Sequence, residues 1–392
     1  MKILLATDLY LPAVNGVVTS TVSLKRSLES LGHDVRVLTL SDIGYIDMDQ
    51  DIYAISSMNV NKIYPGARVR FFRDRPILTE IIHWKPDIIH TQSEFSAFQM
   101  AKYITHYLPI PIIHTYHTVY EDYTHYFSPS KKMGRKIVAL FTKTRLKEAQ
   151  AIIAPTNKVA RLLTEYEVEK PIRVIPTGIE LNHFQNRASK EQLANLRRRY
   201  GIPKDAFLMV SLGRLGKEKN IEELLYFLSM IKTKPYFLIV GDGPNHYHLR
   251  QYTKELGLEK QVIFTGMIAP KDVPIYYQVA DFFVSASTSE TQGLTYIEAL
   301  ASGLPVLCRA DESIENVIID GKNGFQYRSF KEFEACLYTL IQQSNVSHEM
   351  ETFARNFANT HYSSTSFGEQ VEQIYEEVIE SFPTHSLMQI NR

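Results

Sequence analysis

One chain plan occurs twice in this sequence, and it limits the fold more than any other feature. Lys2 to Ala6 is a short apolar run, and Leu9 to Gly16 is a loop holding Pro12, Asn15 and Gly16. A helix is expected from about Val17 to Leu31, with Val18, Val22, Leu28 and Leu31 among its apolar positions. Gly32 closes it and Asp34 to Leu40 reads as the next strand, a βαβ unit that requires a parallel sheet. Phe207 to Leu212 restarts the plan, followed by the loop Gly213-Arg214-Leu215-Gly216-Lys217-Glu218-Lys219-Asn220 and a helix from Ile221. Ile88 to His90, Ile112 to Thr115 and Ala151 to Ala154 extend the first sheet. Tyr236 to Val240, Val262 to Phe264, Asp281 to Val284 and Pro305 to Cys308 extend the second. The 392 residues suffice for two cores. Two Rossmann-like domains follow, with ligands expected at the carboxyl ends of their strands.

The densest chemistry lies in Ser285 to Arg309, S-A-S-T-S-E-T-Q-G-L-T-Y-I-E-A-L-A-S-G-L-P-V-L-C-R. Glu290 falls in a loop after a buried strand, Gly293 opens a helix, and Glu298 lies inside that helix. Gly303 and Pro305 end it. The helix N-terminus between the two carboxylates offers unpaired N–H groups to an anionic or polyhydroxylated ligand. Arg214 and Lys219 stand five apart on one glycine-containing loop, a spacing that lets both reach the same phosphates. Read alone, each of these residues is equally an ordinary solvated charge. Their convergence at strand ends favours a single site.

In the first half, Asn15-Gly16-Val17 occupies a strand-to-helix junction where a glycine lets a pyrophosphate approach the backbone. The absence of G-x-G-x-x-G argues against a dinucleotide dehydrogenase. Pro111 to Tyr126 (P-I-I-H-T-Y-H-T-V-Y-E-D-Y-T-H-Y) gathers His114, His117 and His125 with four tyrosines. His114 reads as a hydrogen-bonded core residue, His117 as the one placed to meet a ligand, and His125 is unassigned. The spacing is not that of a metal site. Asp47-Met48-Asp49-Gln50-Asp51 contains D-x-D twice, far in sequence from the phosphate-binding candidates, and reads as a solvated acidic loop.

Lys plus Arg equals Asp plus Glu at 43 each, so any attraction to a charged surface must be local. One local run is Lys131 to Lys147, with Lys131, Lys132, Arg135, Lys136, Lys143, Arg145 and Lys147 and no acid. Met133, Ile137, Leu140 and Phe141 form an apolar stripe along it, a pattern suited to an anionic bilayer surface or to a core-facing helix with solvated charges. A second run, Tyr64 to Arg75, carries four arginines with Phe71 and Phe72 and favours the membrane. No recognition motif for nucleic acid accompanies either run. Cys308 and Cys336 are too few for a disulfide framework or a zinc site, so a reducing compartment is expected. The N-terminus enters a strand rather than a signal peptide, and no apolar run reaches the length of a membrane span. Near the end, Phe367, Val371, Ile374, Tyr375, Val378 and Ile379 predict an amphipathic helix over Ser366 to Phe382, with an unstructured tail after Pro383.

Taken together, the Gly16 loop, G-R-L-x-x-E-K-N at Gly213 to Asn220, V-G-D-G-P at Val240 to Pro244 and the Glu290/Glu298 pair resemble GT-B retaining glycosyltransferases of family 4. S-E-T-Q-G-L-T-Y-I-E-A-L-A-S-G-L-P-V and H-T-Y-H-T-V-Y-E-D-Y-T-H-Y are similar to the bacterial 1,2-diacylglycerol glucosyltransferases within that family. The resemblance spans nearly the whole chain. It implies an α/β GT-B fold: two Rossmann-like domains facing a cleft, and a C-terminal helix returning to the N-terminal domain. The domains expected are 1–177 (acceptor and membrane side), 178–365 (nucleotide-sugar side) and 366–392 (returning helix and tail).

The resemblance also implies roles. Arg214 and Lys219 would neutralise the donor diphosphate, Glu298 would hold the ribose and Glu290 the sugar hydroxyls. Backbone amides of Gln292, Gly293, Leu294 and Thr295 would complete the pocket, with Ile268 near the base and Gly16 and Val17 approaching from the other domain. His117 would lie beside the transferred sugar, positioning it or stabilising positive charge. No tightly bound cofactor and no divalent metal are required, because Arg and Lys do the electrostatic work. The expected donor is UDP-glucose or UDP-galactose, the acceptor diacylglycerol, and the location the inner face of the cell membrane, peripherally bound from the cytoplasm. The oligomeric state is left open. Rival readings are a family 4 enzyme acting on a soluble sugar, polymer or glycosylated lipid, an inactive GT-B binding partner, and a nucleotide-sugar epimerase.

Overall fold

A computed structural model describes residues 1–13, 15–59, 68–70, 75–121, 130–232, 234–342 and 344–383. His125, most of the Tyr64–Arg75 run and the tail after Pro383 lie outside these residues. The chain divides into two compact units, Met1–Ile179 with the chain from Ser364, and Glu180–Ser363.

The first unit is built on β1 (Lys2–Ala6), β2 (Asp34–Ser41), β3 (Tyr45–Asp47) and β4 (Ile52–Ser56). A small antiparallel pair, β5 (Met58–Asn59) and β6 (Arg68–Val69), precedes β7 (Ile88–Thr91), β8 (Ile112–Thr115), β9 (Ala151–Ala154) and β10 (Ile172–Val174). The main sheet runs β10-β9-β8-β7-β1-β2-β4-β3, parallel except at the β3–β4 edge. Ile3 and Leu5 of β1 enter one buried cluster while Leu4 and Ala6 enter the other. Both faces are therefore covered, as a parallel sheet requires. Asp47 Oδ1 accepts from the amides of Asp49 and Gln50, each at 3.1 Å. The acidic loop thus holds its own turn.

Gly16–Ser30, capped by the Asn15 side chain accepting from Val18 N, and Ser364–Ser381 cover the face of Ile3 and Leu5. The latter helix sends Phe367, Val371, Ile374, Tyr375 and Val378 into that cluster, so the last helix of the chain is part of the first core. Its Tyr375 hydroxyl shares a 2.6 Å hydrogen bond with Nδ1 of buried His90, whose Nε2 pairs with Thr115 Oγ1 at 2.7 Å. Burial keeps His90 neutral by pushing its pKa well down.

The second unit contains β11 (Leu208–Leu212), β12 (Tyr236–Val240), β13 (Val262–Gly266), β14 (Phe282–Ser285), β15 (Val306–Arg309) and β16 (Gly324–Tyr327). Its order β13-β12-β11-β14-β15-β16 is wholly parallel. This is the 3-2-1-4-5-6 arrangement, whose connections diverge between the first and fourth strands. In the first unit the same divergence falls between β1 and β7. The edge strand β16 and the helices Phe330–Gln342 and Ser344–Tyr362 were not anticipated from periodicity.

Gly368 lies against the helix Gly16–Ser30: a Cβ there would lie 2.7 Å from Ser27 Cβ. Helix propensity alone favours Gly368→Ala by about 1 kcal/mol. The clash is expected to reverse that sign and cost about 1–3 kcal/mol, read as a lower urea midpoint of the intact protein.

Candidate active site

In the second unit the loop after β11 and the loop after β14 meet at the point where the sheet connections diverge. Two glycines seat the first loop. A Cβ on Gly241 would lie 2.0 Å from Gly213 O, and one on Gly243 would lie 2.6 Å from Leu215 O. V-G-D-G-P therefore permits backbone contact, and Leu215 N donates to Asp242 O at 2.9 Å. Gly293 starts the helix Leu294–Ala301 at φ 76°, with the Tyr296 ring lying where a Cβ would project.

Lys219 Nζ donates to Glu290 Oε1 at 2.6 Å and ties the two loops together. Thr288 N adds a 3.4 Å bond to Glu218 O. Burial alone would raise the Glu290 carboxyl, but the Lys219 ammonium and hydrogen bonds from Lys219 and Ser287 outweigh it and hold the pKa below the usual range. Arg214 pairs with Glu218 four residues on. Glu298 accepts from the Tyr277 hydroxyl at 2.8 Å, and burial nevertheless raises its pKa to about 7. Gln292 and Gly293 are buried, Leu294 and Thr295 half-buried, and half-buried Ile268 follows β13. Arg214, Lys219, Glu290 and the helix start thus gather at the carboxyl ends of β11 and β14.

The first unit has its own cluster at the ends of β1, β7 and β8. His117 is half-buried; its Nε2 bonds Gln92 Oε1 at 2.7 Å, so that nitrogen carries the proton. Burial lowers its pKa to about 4, with Glu94 opposing and His114 assisting, and the imidazole is neutral at ordinary pH. His114 is a core residue between Thr91 Oγ1 at 2.8 Å and Glu94 Oε1 at 3.2 Å. The Tyr120 hydroxyl donates to Glu94 Oε2 at 2.5 Å. Asp8 Oδ1 accepts from Ala97 N at 2.8 Å, and Asp8 Oδ2 is buried with no partner among the described residues. Burial, with Glu94 adding to it, raises the Asp8 pKa to about 7. Gly16 and Val17 open the first helix of this unit, Gly16 exposed and Val17 half-buried.

The basic helix spans Lys131–Leu146. Gly134, Val138, Thr142 and Leu146 form its buried face, while Met133, Ile137 and Leu140 of the apolar stripe are 50%, 50% and 68% exposed. The stripe therefore faces solvent. Arg135 pairs with Glu121 and Glu165, and Lys143 with Glu167. Arg145 turns inward, 5.3 Å from the Phe141 ring and 5.6 Å from Phe98. Lys132, Lys136 and Lys147 are exposed and make no ion pair among the described residues, and only the backbone of Lys131 is described. Among the described residues, no helix is long and apolar enough to cross a membrane.

Sequence reading missed Asp8, Glu94, Tyr120, Tyr277 and Glu218. Asp8 and Glu94 carried one usable signal: each is a carboxylate two or three residues past a strand end. Tyr277 carried none, because its partner Glu298 lies 21 residues away.

The pattern described as Glycosyltransferase Family 4 matches residues 14–183, and that described as Glycosyl transferases group 1 matches 193–357. The chain is 37% identical to an alpha-monoglucosyldiacylglycerol synthase of Streptococcus pneumoniae, over 97% of this chain and 86% of that one. It is 32% identical to the enzyme of the same name from Acholeplasma laidlawii, over 97% and 98%. Among solved structures, Anabaena HepE in complex with UDP and glucose superposes with a TM-score of 0.75 at 18% identity, covering 96% of this chain and 100% of that one. WaaG, a glycosyltransferase of lipopolysaccharide biosynthesis, gives 0.70 at 16%, covering 96% and 99%. These two likenesses are of the GT-B fold.

Lys219→Met would take the counter-charge from the buried Glu290 carboxylate. The expected loss is roughly 2–4 kcal/mol at neutral pH, below that of a dry pair because Lys219 is partly exposed. In wild type the depressed Glu290 pKa contributes stability above the unfolded value of 4.5 and loses it as pH falls. In the variant, burial raises that pKa and protonation relieves the charge. The gap between the two proteins should therefore narrow as urea unfolding is repeated toward pH 4.5 and below.

Proposed function

The chain belongs to glycosyltransferase family 4, and on that premise we propose that it moves an α-glucosyl group from UDP-glucose to the 3-hydroxyl of 1,2-diacylglycerol at a membrane surface. The observation that carries the proposal is the Lys219–Glu290 pair at the switch point of the second sheet, next to Arg214 and a glycine-started helix. Arg214 and Lys219 are assigned to the diphosphate. Fixed cations there stabilise departing UDP without a metal ion. Glu290, ionised and tied to Lys219, is a poor nucleophile and a good acceptor for sugar hydroxyls. The amides from Gln292 to Thr295 complete the sugar and phosphate seat, Glu298 takes the ribose and Ile268 the base. Gly16 and Val17 are assigned to the donor, and His117 to the reacting sugar. A neutral imidazole can position a hydroxyl, or place a lone pair near positive charge.

The acceptor and membrane assignments rest on the two named relatives and on the outward stripe of the basic helix. Exposed Met133, Ile137 and Leu140 beside Lys132 and Lys136 suit an anionic bilayer better than plain water, which favours a lipid acceptor over a soluble sugar. The enzyme is accordingly proposed to act as a peripheral membrane protein.

Purified protein, radiolabelled UDP-glucose and diacylglycerol in anionic vesicles test the proposal together. Labelled lipid is expected, with Glu290→Ala lowering its formation by about 100-fold or more. Lys132→Ala with Lys136→Ala should lower transfer on vesicles and also lower pelleting with them. Label appearing only in a water-soluble product would overturn the acceptor assignment. Full turnover by Glu290→Ala would overturn the site.

A further inference from the structure

A run of aromatic side chains in the first unit is not used by the donor chemistry. Phe95 immediately follows Glu94 and precedes the helix Ser96–Tyr107, and the residue is 45% exposed. Its ring stacks on Phe141 of the basic helix, with centroids 5.6 Å apart and planes inclined by 24°. It also meets Tyr120 edge-on at 5.7 Å, and the Tyr120 hydroxyl donates to buried Glu94. The backbone of Phe95 faces the Asp8 carboxyl. Phe141 in turn adjoins Leu140, 68% exposed, and lies one helical turn from half-exposed Ile137. Apolar surface therefore runs from the outward stripe of the basic helix to a buried pair of carboxyl groups.

An exposed phenylalanine stacked on a second aromatic ring has no need of that exposure for folding, and burying it against an acyl chain is favourable. We propose that Phe95, Phe141 and Leu140 form an acyl-chain subsite for the lipid acceptor, holding the part of one chain next to the glycerol while its hydroxyl enters toward Asp8 and Glu94. The subsite rests on the proposed diacylglycerol acceptor. The occupant is a bilayer lipid rather than a protein partner because the exposed side of the same helix carries Lys132 and Lys136, which make no ion pair among the described residues, a match for an anionic surface.

The test compares dioleoylglycerol in anionic vesicles with dihexanoylglycerol in solution, using wild type, Phe95→Ser and Phe95→Leu. Phe95→Ser should raise KM for the long-chain lipid by about tenfold, with a much smaller rise for the short-chain lipid and KM for UDP-glucose within about twofold of wild type. Phe95→Leu should recover most of the long-chain affinity. An equal loss on both lipids, or no change on either, would overturn the subsite while leaving the proposed reaction intact. A wild-type protein that labels neither lipid would overturn the reaction and the subsite with it.

Discussion

The Lys219–Glu290 ion pair is the contact on which the candidate site of the second unit depends. It joins the loop after β11 to the loop after β14, two neighbouring strands whose connections leave in opposite directions along the sheet. Such a divergence leaves an opening that no connecting segment crosses, and ligands of open α/β sheets settle there. An opening alone has no chemistry. The pair places a fixed ammonium and a fixed carboxylate in it, the partly exposed ammonium keeping the buried carboxylate ionised. Removing Lys219 takes the counter-charge from a buried carboxylate, so the arrangement of charges in the opening is coupled to the stability of the loops that carry it.

The first unit answers the same topological opening with different chemistry. At the ends of β1, β7 and β8 the groups are histidines, carboxyls and a phenol in a buried hydrogen-bonded network, with His117 and His90 held neutral by burial. Asp8 and Glu94 are close enough for one to raise the pKa of the other. Such a set suits hydroxyl groups better than phosphates, and Phe95, next to Glu94, presents an exposed aromatic residue beside it. The C-terminal helix, buried on the same sheet through Tyr375 and His90, holds the strands that present this network.

Much of the architecture was legible in the sequence because parallel strands, buried on both faces, read as short apolar runs, three of them in the second unit ended by glycine. The repeat of strand, loop and helix at Lys2 and again at Phe207 indicated two sheets, and Glu290 and Glu298 stood out by flanking a helix start. What stayed hidden depends on contacts between distant segments. Tyr277 holds Glu298, Tyr120 holds Glu94, and neither pairing leaves a local pattern. The basic helix shows the limit of periodicity. Its apolar stripe was visible, but Val138, Thr142 and Leu146 make the buried face, and only packing decides which face turns inward.

The central claim is that arginine and lysine side chains, rather than a metal ion, hold the donor diphosphate. Titration calorimetry of UDP and of uridine, with chelator present, separates that term from binding of the base. UDP should bind wild type far more tightly than uridine, and Arg214→Ala should shrink that advantage by about tenfold or more while leaving uridine binding unchanged. An undiminished UDP-to-uridine ratio in Arg214→Ala, or loss of UDP binding on adding chelator, would contradict the account.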